Sequence, residues 1–460
     1  MVDYEEELDR YLDEIKELAR SKQYARLRDL FLPMEPADIA LLLEESGGEL
    51  MPLLYRLLPK ELAAEVFVEL ESDSQEMLIN GFSNTELKEV LDELYLDDAV
   101  DIVEEMPASV VIRILDKATP EMRKSINEIL KYPEDSTGSI MNMEFLSLKK
   151  DMTVEDAFKR IRRIGGELET INILYVTDPT RRLLGVLSVR DLLLAEEDDL
   201  IEDIMDPNVV WVSTMDDKED AAQALSKYGF LAMPVVDLEN RLVGIVTVDD
   251  AMDVIEEETT EDFSKMAAVA PSDDSYFKTS VFTHAKNRIA WLLILMLSAT
   301  LTGAIVNKYQ SAFAAVPVLV SFLSMLSGTG GNCGSQTSTL VIRGMALGEI
   351  RMKDFFKVMW KEFRVALLCS VILAIVNAIR IILVYHGDTS VDCYKLAFTV
   401  SMAIMATVVL SKLIACMLPM AAKKLHLDPA IMAAPLITTI VDTCSTLIFF
   451  TLATIVFDIK

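Results

Sequence analysis

The sequence predicts a multidomain chain: an α-helical superhelical N-domain, a tandem pair of α+β units, and an α-helical transmembrane domain of five helices. Three observations carry that reading. Charge divides sharply along the 460 residues: residues 1–280 hold 65 Asp and Glu against 28 Lys and Arg, whereas residues 281–460 hold 8 against 15. Five apolar runs, each near the ~20 residues that span a bilayer, lie in the second part. Ahead of them RLLGVLSVRDLL (182–193) returns 59 residues later as RLVGIVTVDDAM (241–252).

Residues 1–132 read as short helices. The segments PADIALLLEE, LPKELAAEVF, FSNTELKEVLDEL, YLDDAVDIVEEM and TPEMRKSINEIL are amphipathic, and many open on Ser, Thr, Asp or Pro followed by an acid, as helix starts should. Stacked helical hairpins fit this pattern. The opening MVDYEEELDR has no signal-peptide pattern, so the acidic part is expected in the cytosol. A net negative surface disfavours nucleic acid and attracts cations. The Cys at 333, 369, 393, 416 and 444 form no CxxC pair and read as buried thiols. An enzyme is not expected: His284, His386 and His426 are scattered at membrane borders, and no nucleophile–base pair is visible.

The repeat divides into a first unit at 133–199 and a second at 200–258. Val176 and Asp178 match Val235 and Asp237, and Ile140–Met141 matches Ile204–Met205. Each copy reads strand, helix, strand, strand, helix. This resembles a tandem CBS-domain pair. Each copy has the CBS element of Gly, a Ser or Thr three residues on, and an Asp three further: Gly185, Ser188, Asp191 and Gly244, Thr247, Asp250. The resemblance implies that Ser188, Asp191, Thr247 and Asp250 can hold the ribose of ATP or another adenine nucleotide, although many CBS domains with this element bind none.

A connecting segment, 249–280, places eight acids in the fourteen residues 249–262. It is either a solvated amphipathic helix or a surface whose self-repulsion a divalent cation relieves.

The apolar runs are 289–306, one starting near 313 and broken at 328–334, 365–385, 396–417, and one from about 429 to 457. Bases gather on one side: His284, Lys286 and Arg288 before the first run; Arg343, Arg351, Lys353, Lys357, Lys361 and Arg364 after the second; Lys423 and Lys424 after the fourth. The opposite side has Lys308 and HGDTSVDCYK. That bias predicts a multi-pass plasma-membrane protein, or an inner-membrane protein where there are two membranes. Its N-terminus would be cytosolic and its C-terminus outside.

One carboxylate interrupts the last run, PLITTIVDTCSTLIFF: Asp442. A charged group at the bilayer centre costs ~2.5–3.5 kcal/mol on insertion scales. Either it bonds local hydroxyls, or it faces a pore and binds a cation. Pro435 is expected to distort this helix and loosen a turn, with Thr438 on the face of Asp442. Oxygen ligands of this kind suit Mg2+ or Ca2+. The stretch GTGGNCGSQTST (328–339) reads as unwound backbone beside a cavity, a flexible loop, or a close helix crossing. Arg380 and Lys412 read as snorkelling side chains near span ends, and Asn377 as a bond to a neighbouring helix.

The order of parts, together with Gly328-Thr-Gly-Gly-Asn332-Cys-Gly334-Ser-Gln336 and Asp428-Pro-Ala430…Pro435…Thr438…Asp442, resembles the MgtE magnesium channels and transporters over essentially the whole chain. The resemblance implies a homodimer in the lipid bilayer in which two facing Asp442 carboxylates bind hydrated Mg2+. It implies Mg2+-sensing acids at Glu65, Asp97, Asp101, Glu219, Asp250, Asp253, Glu258, Glu261 and Asp262, with Asp428 meeting the connecting helix. Gly229, Ala434 and Ser445 depart from the family pattern. The expected function is a Mg2+-selective channel that imports Mg2+ into the cytosol and closes when Mg2+ binds its acidic domains. The alternatives are an ion-coupled Mg2+ carrier, or a membrane-tethered CBS nucleotide sensor without transport.

Overall fold

The structure is a computed structural model that describes residues 2–272, 276–277, 279–309, 316–386, 392–432 and 434–458, without the side chains of 2–7, 167 and 434. The expected start of the second run near 313 and the side chain of Ala434 therefore lie outside the described residues. The chain divides into two compact units, Met1–Ile255 and Glu256–Lys460.

The first unit opens on ten helices, α1 (Val2–Arg20) to α10 (Pro120–Ile129). Their starts follow from side-chain chemistry. In α7 (Asn84–Leu91) Ser83 and Glu86 form a reciprocal capping box. In α10 the hydroxyl of Thr119 accepts from the N–H of Met122, and Pro120 fills the first turn, where no N–H is needed. Alternate helices pack on one another, α1 on α3 (Pro36–Ser46), α3 on α5 (Lys60–Val68), α5 on α7 and α7 on α9 (Ala108–Lys117). That is the superhelical stacking expected of helical hairpins. Ile39, Leu54, Phe67, Leu78, Val100 and Ile114 make its buried spine.

The two repeat copies fold alike. The first has β1 (Ser147–Lys149), α11 (Val154–Ile164), β2 (Ile173–Thr177), β3 (Leu183–Ser188) and α12 (Val189–Leu194). The second has α13 (Ile201–Ile204) ahead of β4 (Val212–Ser213), then α14 (Lys218–Tyr228), β5 (Ala232–Val236), β6 (Leu242–Thr247) and α15 (Val248–Met266). In each sheet the first strand pairs parallel with the second, and the second antiparallel with the third. The copies are sewn together. Asn142, ahead of β1 in the first copy, pairs with Ile245 in β6, and Asp206, ahead of β4 in the second, pairs with Val186 in β3. This explains why the Ile-Met dipeptide recurs upstream of each copy.

The second unit contains α16 (Val281–Lys308), α17 (Val320–Ala346), α18 (Phe355–Tyr385), α19 (Cys393–Lys424) and α20 (Ala434–Val456). Four are long and apolar enough to cross a membrane, α16, α18 (as Met352–Tyr385), α19 and α20 (as Pro429–Val456). The other expected span is α17, whose Gly, Ser and Thr lower its hydropathy but are covered by α19 and α20.

Three local expectations are corrected here. The Gly-rich stretch does not break the second run: α17 is helical throughout 328–339. The small residues serve the helix crossing instead. A Cβ on Gly330 would stand 2.6 Å from Val441 Cγ1 and 2.8 Å from Thr407 Cγ2, and one on Gly334 2.7 Å from Ile437 Cγ2. Nor does Pro435 loosen a turn: it is the second residue of α20, where its missing N–H has no partner to lose. Lys412 does not snorkel; it is 5% exposed and bonded inside the bundle. Arg380 remains exposed and donates to Asn377 Oδ1 (3.0 Å), while Asn377 donates to Ser401 Oγ across to α19 (3.3 Å), the inter-helix bond expected of it. All five thiols are free; Cys333 and Cys416 are buried and the other three half-buried.

Candidate functional site

Among the described residues, carboxylates mark three places, two of them clusters and the third a lone side chain. In the first unit, α8 (Leu96–Glu105) brings Asp97, Asp98 and Asp101 toward Glu144, Glu169, Asp249 and Asp250. Asn142 organises them. Its side-chain amide donates to Asp97 Oδ2 (2.9 Å) and Glu169 Oε2 (3.3 Å), and its Oδ1 accepts from the N–H of Glu144 (2.6 Å). Glu144 in turn accepts from the N–H of Leu96, at the start of α8 (3.3 Å). Asn142 is fully buried, while Asp101 and Asp249 stay exposed, so the acids line a cleft open to water.

Burial first, and then the neighbouring carboxylates, push Asp98 and Asp250 up to about 7 and Glu169 up to about 8. Burial likewise raises Asp97, although bonds from Asn142 and backbone amides oppose it. Of the acids singled out in the sequence, Asp97, Asp101 and Asp250 fall in this cluster. Glu65 is exposed on α5, and its charge helps raise the Tyr95 phenol, after burial and the nearer acids. Glu219 lies in the first turn of α14 and accepts from Gln223 Nε2 (2.9 Å); Asp253 is exposed on α15. Sequence reasoning missed Asp98, Glu144, Glu169 and Asn142, and counted Asp249 only among the acids of the connecting segment. The adjacency of Asp98 and Asp249 to acids already singled out was the available signal; nothing local marks Asn142.

In the CBS elements, the Ser188 hydroxyl donates to Asp191 (2.5 Å) and caps α12, and the Thr247 hydroxyl donates to Asp250. Asp250 therefore belongs both to the expected nucleotide element and to the acidic cleft.

In the second unit the connecting helix carries Glu258, Glu261 and Asp262, all half-buried. The position expected for a cation shared with Asp428 is occupied by an ammonium group. Lys265 Nζ lies 2.6 Å from Asp428 Oδ2 and 2.7 Å from Glu261 Oε1. Burial alone would lower the Lys265 amine, but its bonds to both carboxylates hold it well above the ordinary range. Burial and then Asp428 raise Asp262. Asp428 Oδ1 also accepts from the N–H of Ala430, fixing the turn that leads into α20.

The third place is Asp442, midway along α20 and half-buried. Its carboxylate accepts from the Ser327 hydroxyl on α17, and among the described residues no cationic side chain pairs with it. Thr438, one turn earlier, packs against Gly331, one turn after Ser327. A helix lacking Cβ atoms on this face lets the hydroxyls and the carboxylate of α20 come close. Among the described residues no group of three His, Cys, Asp or Glu forms a ready metal shell at any of these places.

Comparison with known proteins agrees with this layout. Residues 323–452 match the MgtE divalent cation transporter family, 34–135 the MgtE intracellular N domain, and 138–198 and 201–257 CBS domains. The magnesium transporter MgtE of Thermus thermophilus is 35% identical, over 94% of this chain and 95% of that protein. The magnesium transporter MgtE of Bacillus subtilis is 31% identical, over 95% of both. A crystal structure of the cytosolic domain of the Mg2+ channel MgtE in complex with ATP is 37% identical, with a TM-score of 0.51, covering 53% of this chain and 99% of that one. With the domain order, the duplicated α+β unit and the bundle of apolar helices all matched, the chain belongs to the MgtE family of magnesium transporters.

Proposed function

We propose that the chain is a homodimeric Mg2+ channel that admits Mg2+ to the cytosol through a path lined by Asp442, and that Mg2+ bound to its acidic cytosolic surfaces closes it. The observation that carries this is Asp442: a carboxylate amid apolar helices, bonded to one hydroxyl and facing no cation among the described residues. Such a charge is stable only if something positive or wet meets it. Mg2+ dehydrates reluctantly, so a lone carboxylate flanked by Ser and Thr hydroxyls suits a hydrated ion held through its water shell. The absence of a tight three-ligand cluster among the described residues is in keeping with that mode. A channel is preferred to a coupled carrier because a similar protein is described as a Mg2+ channel.

Closure follows from the same electrostatics. The cleft around Asp97, Asp101 and Asp250, and the connecting-helix face of Glu258, Glu261 and Asp262 near Asp428, concentrate negative charge that a divalent ion relieves. A ligand that binds the closed arrangement preferentially shifts the population toward it. Glu65, Glu219 and Asp253 belong to the same acidic surfaces. The N-terminus and these surfaces lie in the cytosol, and the C-terminus outside. The CBS pair takes an adenine nucleotide at Ser188, Asp191, Thr247 and Asp250, as its ATP-bound relative suggests. The test is Mg2+ uptake by the full chain in a transport-deficient cell, with unitary currents in patches. Rescue without unitary conductance would favour a carrier; no rescue would leave a nucleotide sensor.

A further inference from the structure

Lys412 and Glu362 form an ion pair within the membrane unit that takes no part in the site above. Lys412, on α19, has 5% of its surface exposed. Its Nζ donates to Thr337 Oγ1 on α17 (3.0 Å) and stands 4.0 Å from Glu362 Oε2 on α18. The Thr337 hydroxyl in turn donates a hydrogen bond to Glu362 Oε2 (3.0 Å) and is fully buried. One charge pair thus joins three helices through a hydroxyl.

The same stretch of α19 holds α17 from a second point: the Ser411 hydroxyl donates to the carbonyl of Gly330 (2.5 Å). Helix α17 is therefore gripped by α19 on one side and presents Ser327 to Asp442 on the other. Ser327 and Thr337 are ten residues apart on that helix, a rise of about 15 Å. An uncompensated charge at Thr337 would be felt at Asp442, since the intervening medium is protein and apolar helix rather than water. With both charges present, their fields cancel at that distance.

We propose that charge balance within the Lys412–Glu362 pair preserves the Mg2+ affinity of the path: the two charges cancel, so that Asp442 is the fixed charge an ion meets, and loss of either one alone shifts that affinity. This rests on the reading of Asp442 as the ion site. Neither residue touches the ion; they act on affinity through the field.

The experiment is Mg2+ uptake by the full chain in liposomes, with initial rates measured against external Mg2+. Glu362→Gln leaves the Lys412 cation alone, and the half-saturating Mg2+ should rise on the order of three- to tenfold. Lys412→Met leaves the Glu362 carboxylate alone, and half-saturation should fall by a similar factor. The neutral double variant Lys412→Met/Glu362→Gln should return to within about twofold of the parent. Loss of packing cannot produce shifts of opposite sign, so the signs separate a field effect from a structural one. If a single variant fails to insert, the neutral double still decides, because a shift of more than about threefold in it overturns the proposal. Shifts in the same direction, or none, overturn it as well. Asp442→Asn run alongside keeps the two readings apart. Uptake retained there removes the ion site itself; uptake lost there, with like shifts in the two singles, removes the inference alone.

Discussion

The cytosolic cleft and the membrane bundle both bury carboxylates, but they neutralise them in opposite ways. In the cleft, Asp97, Asp98, Asp101, Glu169 and Asp250 face one another, and the partner that ties them is an uncharged amide, Asn142. In the bundle, Glu362 has Lys412, while Asp442 has only the hydroxyl of Ser327 among the described residues. The cleft stores repulsion over a wide surface open to water, which a diffusing cation can relieve at little cost. Within the spans Asp442 is the carboxylate without a cationic partner among the described residues, and each further one would have to be desolvated. Under the proposed function the wide acidic cluster of the first unit suits sensing and the lone carboxylate of the second suits conduction, two tasks that call for different charge densities.

The sharpest way to break this comparison is to remove that unmatched carboxylate. Asp442→Ala should reduce Mg2+ uptake to background, and Asp442→Asn should do the same, because the isostere keeps the shape and loses the charge. Folding and dimerisation should survive in both, as no ion pair is lost. Size-exclusion profiles and uptake, measured together, check this; near-parental uptake in the Ala variant would take the conduction path away from α20.

The next largest effect should come from the crossing that brings Ser327 to Asp442. A methyl added at Gly330 would meet Val441 and Thr407 inside 3 Å. Overpacking of that kind costs about 1–3 kcal/mol and must push α17 off α20. Gly330→Ala is expected to lower uptake about tenfold. Gly328→Ala, on the same helix with nothing within 4 Å of the added carbon, should be neutral. Equal behaviour of the two variants would mean that the crossing does not position the site.

That helix also shows where the sequence could mislead. The domain order was legible because each part has its own periodicity: helical hairpins, a duplicated strand pattern and long apolar runs. Asp442 was legible because a carboxylate amid apolar residues stands out alone. The glycines of 328–334 read as a break because glycine loosens a helix in water. Between membrane helices the same glycines let neighbours approach. Lys412 read as snorkelling because its partner, Glu362, lies fifty residues earlier among bases. Asn142 was invisible for a similar reason: its bonds reach Asp97 and Glu169, 45 and 27 residues away.

The cleft should respond to protons as well as to cations. Asp98, Glu169 and Asp250 keep their protons to about pH 7 or 8 in the folded unit, against ~4 in an unfolded chain. Between those limits the folded state binds more protons, so its stability without divalent cations falls as pH rises from about 4 to 8. Limited proteolysis of the full chain without Mg2+ should therefore cut near residues 130–140 severalfold faster at pH 8 than at pH 5.5. Millimolar Mg2+ should suppress most of that difference, since the cation replaces the protons. A cleavage rate indifferent to both would count against a charge-sensing cleft.

The smallest expected effect is at the connecting helix, where a lysine already sits among the acids. Lys265 bonds Glu261 and Asp428 at once, so it supplies part of the charge that a divalent ion would bring. Removing it should have a definite sign. In Lys265→Met the carboxylates of Glu261, Asp262 and Asp428 lose a tethered cation that competes for the same oxygens, and their affinity for Mg2+ should rise. Patch recordings across a cytosolic Mg2+ titration should then show inhibition at a two- to fivefold lower concentration, a modest shift because the pair is partly open to solvent. Lys265→Arg should keep the parental midpoint. The triple variant Glu258→Ala/Glu261→Ala/Asp262→Ala should move it the other way, to higher Mg2+, because the oxygens themselves are gone. The alternative is that Lys265 alone latches the helix to Asp428 whatever the metal concentration. In that case Lys265→Met would raise the midpoint along with the triple variant, and the ammonium would be the latch rather than the rival of the ion.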